Sequence, residues 1–347
     1  MIPLGDPPVG DDEIAAVAER IDAGALSTGE TVAAFEQRFA TLTDAADAAA
    51  VCSGSVALEM ALEVSPLESG DRVAVSPYNC GAVLYSLLRS ELDPVFVDID
   101  PATYNVSPDE VAAVAPDVDG LAMVHLFGQP CDVDPLIDIA DDHDLTVVEA
   151  FAQAPGATYR GDPVGSLGDV GACSFGATKN LTTAEGGAVV GDSDDADRVR
   201  TRRTNDGGDI DGVRRSVRMN DLEAAIGIEQ LASYDEVLRR KRRAADAYRD
   251  RLPDQILPVV CDDRSHVYHG FPLRTDDREG LRRHLDDAGV ETASVYEPLH
   301  TYDSVSSPSR PTPEAERAAD EVLLVPIHGS ITVDEVGTVA EAINDWL

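Results

Sequence analysis

The sequence predicts an α/β protein: a large domain built on a mainly parallel sheet, followed by a smaller α+β domain. Three observations carry this. From about residue 50 to 195, short β-rich runs alternate with helical stretches, which is the pattern of βαβ units. A long helical stretch then runs from about Asn220 to Leu252 and stops before Pro253. Finally, 347 residues of which 43% are hydrophobic can fill more than one core. The division is placed after residue 235, giving a large domain over 1–235, N-terminal arm included, and a small domain over 236–347.

Along the chain, the strand-like runs are Arg72 to Val75, Pro94 to Val97, Gly120 to His125, Leu145 to Glu149 and Ala188 to Val190. Between them Ser55 to Val64, Asn79 to Arg89, Pro108 to Val114 and Val133 to Asp142 read as amphipathic helices. Helices are therefore expected on both sheet faces. The long helical stretch reads as interrupted near Ala232 to Asp235, and its arginine cluster, Arg239 to Arg243 around Lys241, reads as a solvated face. After it, His269 to Arg274, a helix around Arg278 to Ala288 and a final helix Val333 to Trp346 make up the smaller domain. Ser304 to Pro313, rich in Ser and Pro, is expected to be a surface loop.

Composition excludes several classes. The chain carries 65 acidic against 27 basic residues, a formal charge of −38, so it lacks the basic surface that nucleic-acid binding needs. No apolar run approaches the roughly 18 to 20 residues of a membrane span, and Met1 to Gly10 has no signal-like core. A soluble, cytoplasmic protein without a membrane partner is expected. Only Lys179 and Lys241 are lysines; the other basic residues are arginines. An acidic, lysine-poor chain suits molar salt, where the Debye length falls to about 3 Å and self-repulsion is tolerable. We therefore expect a halophilic source. The five cysteines (Cys52, Cys80, Cys131, Cys173, Cys261) are scattered, without zinc spacing, and are expected to be mostly small core residues; no metal site is expected.

Two features could carry chemistry. Lys179 lies in the run Cys173-Ser-Phe-Gly-Ala-Thr-Lys179-Asn-Leu, in a chain that has replaced almost every lysine by arginine. Arginine stays protonated and forms no imine, so a retained lysine is a candidate Schiff-base former, the alternative being a chance survivor. Lys241, within an arginine run, is not a candidate. Second, Ser53-Gly54-Ser55 opens the helix that follows, and amides at a helix N-terminus with two hydroxyls can cradle a phosphate. An ordinary N-cap serine is the alternative.

In this order the motifs resemble the DegT/DnrJ/StrS family of sugar aminotransferases over nearly the whole chain. The matches are Leu26-Ser-Thr-Gly29 with Phe35-Glu36, Cys52-Ser-Gly-Ser-Val-Ala-Leu58, Val95-Phe-Val-Asp-Ile-Asp100 and Val124-His-Leu-Phe-Gly-Gln-Pro130. They continue through Ala152-Gln-Ala-Pro-Gly-Ala157, Gly165-Ser-Leu-Gly-Asp169, Ser174-Phe-Gly-Ala-Thr-Lys179, Glu185-Gly-Gly187 and Arg218-Met-Asn-Asp221 with Ala224-Ala-Ile-Gly227 to Tyr296-Glu-Pro-Leu-His300 and Pro326-Ile-His328. The resemblance implies a fold-type-I pyridoxal-phosphate transferase with a mixed, mainly parallel seven-stranded sheet. It further implies Lys179 in Schiff-base linkage to pyridoxal 5'-phosphate, the phosphate held by Ser174, Gly54 and Ser55 beside Ser53, and Gln153 near the cofactor's phenolic oxygen. Its substrates would be a nucleotide-linked keto sugar and an amino-acid donor, in a homodimer whose active site lies at the subunit boundary.

Three positions depart from the family pattern. Ala150, in Glu149-Ala-Phe-Ala-Gln153, stands where an aspartate pairs with the pyridine nitrogen. Glu149 is no simple replacement, because adjacent side chains of a strand face opposite ways. Cys80 aligns with the ring-stacking aromatic, with Tyr78 two residues before it. Ser216 aligns with an asparagine that reaches the neighbouring subunit's phosphate. The leading expectation is an aminotransferase of the sugar type. Non-transaminating chemistry on the same cofactor, or a non-catalytic relative that binds a sugar nucleotide or small effector, are the alternatives. His300 and His328 fall near the expected mouth of the site, with a structural role open for each.

Overall fold

The computed structural model describes residues 1–205, 214–305 and 310–347. Part of the expected Ser304 to Pro313 loop therefore lies outside the described residues. Helices α1 (Asp11–Asp22) and α2 (Glu30–Thr43) precede β1 (Asp47–Val51), α3 (Gly54–Val64), β2 (Arg72–Val75), α4 (Gly81–Arg89) and β3 (Asp93–Phe96). Then follow α5 (Pro108–Ala112), β4 (Gly120–Val124), α6 (Val133–His143), β5 (Thr146–Ala150) and the small hairpin β6 (Thr158–Tyr159) with β7 (Asp162–Pro163). The large lobe closes with β8 (Val170–Ser174), β9 (Gly187–Gly191) and α7 (Ser193–Arg202). Among the described residues its sheet has seven strands in the order β1-β9-β8-β5-β4-β2-β3. The five strands from β8 to β3 run parallel, while β9 pairs antiparallel with both β8 and β1. This is the mainly parallel sheet that the alternating pattern predicts, with the mixed, seven-stranded form that the resemblance implies.

Strand alternation sorts the side chains into two cores. Val148, Ala150, Val170, Ala172 and Val189 face α3, α4 and α7, where Leu58, Met60, Leu62 and Val64 are buried. Each such side chain contributes roughly 1.5 to 3 kcal/mol on burial. Ala48, Ala50, Cys173, Ala188 and Val190 face the other way, against Phe35 and Phe39 of α2 and Ala224 and Tyr234 of α8 (Asp221–Arg249). Position 150 and position 149 therefore belong to opposite faces.

Helix α8 starts on a reciprocal cap, with Asn220 accepting from the amides of Leu222 and Glu223 and Glu223 accepting from the Asn220 amide. It runs unbroken to Arg249, which corrects the expected interruption near Ala232 to Asp235. Ser233 stays helical by bonding back to the Glu229 and Gln230 carbonyls, and Tyr234 is buried with its hydroxyl donating to Pro155 O. The helix passes through the division expected after residue 235, and its second half (Ala244, Ala245, Tyr248) packs in the core of the small lobe. That lobe contains β10 (Phe271–Arg274), α9 (Arg278–Asp287), β11 (Ala293–Ser294), α10 (Pro313–Glu321), β12 (Val322–Val325) and α11 (Val333–Trp346). Its strands form an antiparallel sheet, β10-β12-β11. The N-terminal arm belongs here too: Ile2 bridges to Val290, and its side chain joins this core.

The cysteines are less uniformly internal than expected. Cys131 and Cys173 are buried, Cys52 and Cys261 are half-buried, and Cys80 is exposed. No group of metal-ligating side chains occurs among the described residues, and no described helix is long and apolar enough to cross a membrane.

Candidate active site

The phosphate-like cradle forms where α3 meets β8. Ser53 is the N-cap, its hydroxyl accepting from Val56 N at 3.3 Å. That leaves the Gly54 and Ser55 amides at a helix start, where they have no intrahelical acceptor. No acidic residue lies in the first turn of α3. Gly54 is required by close approach: a methyl there would stand 2.2 Å from Ser174 Cβ and 2.5 Å from its Oγ. Gly187, on β9, is equally tight, since a Cβ would meet Ser53 O at 2.5 Å. Ser174 shares its face of β8 with Ala172, which pairs with Ala150 on β5.

Lys179 sits on the loop that leaves β8, its amide bonded to Gly176 O at 2.9 Å. Burial holds its amine below the ordinary lysine range, with Cys80 and Cys173 acting in the opposite direction. The next residue, Asn180, donates from Nδ2 to Val267 O at 3.0 Å and accepts from Lys241 Nζ at 2.6 Å. Lys241 thus departs from the surface assignment. Arg239, Arg240, Arg242 and Arg243 are exposed, but Lys241 is 4% exposed and points inward with Leu238, Ala244, Ala245 and Tyr248. Burial lowers its amine to about 7.

At the expected ring end, Ala150 is buried on the α3 side of β5, the face that also carries Ser174. Glu149 faces away. Its carboxylate accepts from His125 Nε2 at 2.8 Å and from the amides of Gly165 (2.6 Å), Leu167 (2.9 Å) and Gly168 (3.3 Å), so it is a structural clamp. Tyr78 does not take over the stacking position. It is fully buried, its hydroxyl donates to Val295 O, and its ring packs with Tyr104, Phe127 and Tyr296. Cys80, which the resemblance aligns with that position, is exposed, and its charge acts to raise the Lys179 amine. Gln153 accepts from Phe127 N at 2.8 Å and donates to the Tyr296 hydroxyl at 3.1 Å. That phenol is pushed up to about 12 by burial, then by Cys80.

The structure therefore gathers Ser53, Gly54, Ser55 and Ser174 at one end. Gln153 and Tyr296 lie together. Ser216 is exposed, beside Val217, whose carbonyl accepts from Cys52 N at 2.8 Å. His300 Nδ1 lies 3.3 Å from Thr312 Oγ1 and its Nε2 3.4 Å from Glu316, while His328 Nδ1 bonds Ser330 Oγ at 2.8 Å. Sequence reasoning passed over Asn180, Lys241 and the Tyr296 hydroxyl. Lys241 did leave a signal: it falls on the same helical stripe as Leu238, Ala245 and Tyr248, at three- and four-residue spacing.

The model of the DegT/DnrJ/EryC1/StrS aminotransferases matches residues 7–344. The chain belongs to the DegT/DnrJ/EryC1/StrS aminotransferase family. This aminotransferase is 34% identical to dTDP-3-amino-3,4,6-trideoxy-alpha-D-glucose transaminase of Streptomyces venezuelae, over 96% of this chain and 91% of that one. It is 32% identical to spore coat polysaccharide biosynthesis protein SpsC of Bacillus subtilis, over 99% of this chain and 96% of that one. Among solved structures, sugar aminotransferase CalS13 from Micromonospora echinospora superposes with a TM-score of 0.93 at 32% identity, covering 100% of each chain. DegT/DnrJ/EryC1/StrS aminotransferases depend on pyridoxal phosphate. The residues present fit that group at two of its three ends: a cradle closed to any Cβ at Gly54, and a lysine amine lowered by burial. At the position that the resemblance assigns to the ring nitrogen, Ala150 carries no charge.

Proposed function

We propose that this aminotransferase moves an amino group from an amino-acid donor to a keto group of a nucleotide-linked sugar, with Lys179 as its catalytic residue. One observation carries the assignment of the site: α3 and β8 approach so closely at Gly54 that any Cβ there would meet Ser174, which sets the Ser174 hydroxyl beside the amides at the start of α3, with Lys179 five residues beyond Ser174. The sugar class rests on relatives whose own names specify dTDP-linked and polysaccharide chemistry.

Pyridoxal phosphate, when bound, supplies an electron sink for bonds at the amino-bearing carbon. Gly54, Ser55 and Ser174, with Ser53 capping the helix behind them, would hold its phosphate. Gln153 would lie at its phenolic oxygen, kept in place by Phe127 N and the Tyr296 hydroxyl. Cys80 and Ala150 would flank the ring. Lys179 Nζ would hold the cofactor covalently and then take and return the substrate proton, a task for which an amine lowered by burial is suited. The purified protein should show a visible cofactor absorbance band and convert added amino donor to its keto acid. Lys179→Ala should abolish both, and a variant that kept either would sink the assignment.

We further infer a salt-adapted, cytoplasmic homodimer, with Ser216 contributing to the neighbour's site and a lobe division after residue 235 that falls inside α8 and leaves the residues around Ile2 on the small lobe. The charge of −38 and the two lysines support the salt dependence. Sedimentation in molar KCl should give twice the 36.8 kDa chain mass, with loss of structure on dialysis to dilute buffer. A folded monomer in both would contradict it.

A further inference from the structure

The helix that carries the phosphate cradle is held from outside by arginines. Helix α3 has no basic residue in its own last turn, yet its last four carbonyls all find donors. Ala61 O accepts from Ser65 N at 3.0 Å and Leu62 O from Ser65 Oγ at 2.8 Å. Glu63 O accepts from Arg202 at 2.7 Å and Val64 O from Arg198 at 2.6 Å, both guanidiniums of α7. Cations here complement the negative end of the helix dipole, whose positive end lies at Gly54 and Ser55.

Arg215 is attached differently. It lies between α7 and α8, and its guanidinium spans two carboxylates one turn apart on α3. Nη1 donates to Glu59 Oε2 at 2.9 Å, and Nη2 pairs with Glu63 Oε1. Arg89 of α4 takes the other Glu59 oxygen, Oε1, at 2.8 Å. The Glu59 side chain is 6% exposed, so this carboxylate depends on both guanidiniums. The backbone around Arg215 is anchored as well. Arg215 N and Val217 N donate to the Arg202 and Arg203 carbonyls at 2.8 and 3.1 Å, Val217 O accepts from Cys52 N, and Arg218 bridges to Val51. Cys52 is the residue before the Ser53 cap. One short segment therefore grips both the entrance of the cradle and the body of the helix that forms it.

We infer that Arg215 is a positioning residue for the phosphate cradle: by bridging Glu59 and Glu63 it fixes α3 against the segment that pairs with Cys52, and so sets the Gly54 and Ser55 amides beside Ser174. The inference rests on the cofactor reading above. The cradle has no slack, since a methyl at Gly54 would stand 2.2 Å from Ser174 Cβ. A small slide of α3 therefore either parts its amides from the Ser174 hydroxyl or drives the two together, and hydrogen bonds to one anion tolerate neither. Arg215 acts through α3 and takes no part in the chemistry itself.

The test compares two ligands on cofactor-free protein in high salt: pyridoxal phosphate, and pyridoxal, which has the same ring and aldehyde but no phosphate. Wild type should bind the phosphorylated form more tightly. Arg215→Met should weaken pyridoxal phosphate about threefold to tenfold, the loss of one partly exposed bridge, and leave pyridoxal within about twofold. Glu63→Gln, at a partly exposed position that keeps the fold should the methionine variant fail, should lose about twofold to threefold on pyridoxal phosphate alone. Arg215→Lys keeps the charge without the two-pronged geometry and should fall between wild type and Arg215→Met. Equal weakening of both ligands would make Arg215 a general support of the fold and overturn the inference. So would a folded Arg215→Met or Glu63→Gln protein that binds pyridoxal phosphate like wild type; either result leaves the cradle standing. Wild-type protein that binds the two ligands equally well removes the cradle and the inference together.

Discussion

Ala150→Asp is expected to raise the transamination rate by roughly two to four orders of magnitude. The estimate follows from about 3 to 5 kcal/mol for one partner of a buried charge pair and about 1.4 kcal/mol per tenfold in rate. Position 150 is on the α3 face of β5, level with Ala172 on β8 and on the same face as Ser174, so a carboxylate there would share the side of the sheet that carries the cradle. The same substitution should lower the melting temperature of cofactor-free protein, because Ala150 is 6% exposed and an isolated carboxylate is unfavourable there. Added cofactor should recover that loss. Single-turnover kinetics with amino donor, followed at the cofactor band, is the measurement. An aspartate variant with wild-type rate and wild-type spectrum would mean that the ring nitrogen is served by some other group.

Glu149→Ala should have the largest effect on stability, roughly 3 to 5 kcal/mol. One buried carboxylate here satisfies four donors: the His125 imidazole and three amides of the turn that leads into β8. His125 Nδ1 is already accepting from Cys131 N at 2.9 Å, so its Nε2–H has Glu149 as its acceptor. Removing the carboxylate strands the His125 imidazole and the Gly165 amide in a fully buried site and frees the part-buried amides of Leu167 and Gly168. Against a typical total of about 5 to 15 kcal/mol, that loss is severe. Glu149→Gln keeps one carbonyl oxygen and should lose less. Denaturant unfolding in high salt distinguishes the three proteins, and an alanine variant within about 1 kcal/mol of wild type would refute the clamp.

Much of the architecture was legible because the parallel strands are dense in valine and are set off by amphipathic helices. Arg72–Val75 and Val333–Trp346 coincide with their expected bounds. Strands β1 and β8 were not singled out, since Asp-Ala-Ala-Ala-Val and Val-Gly-Ala-Cys-Ser carry little β preference of their own; they are strands because each is paired within a covered sheet. In the site, Lys179 stood out by scarcity and Ser53-Gly54-Ser55 by its place before a helix. That Glu149 faces away from Ala150 followed from strand alternation and needed no coordinates. Lys241 was hidden by its arginine neighbours, whose charge suggested a wet face although one residue in each turn of that helix must point inward. The bond between Gln153 and Tyr296 joins residues far apart in sequence, and no local pattern announces it.

The position of β9 has a consequence for how the protein comes together. Val51 pairs with Gly187, and Gly187 in turn abuts Ser53, so the edge strand β1 is locked only after nearly two hundred residues exist and the crossovers through β8 are made. Contacts of such long range are entropically slow to close and belong late in assembly. The two halves of the phosphate cradle, Gly54 and Ser174, come from either side of that closure. A half-folded chain has no place to grip the cofactor, so a dianion captured there counts wholly toward the finished protein and makes the last seam of the sheet the hardest to reopen.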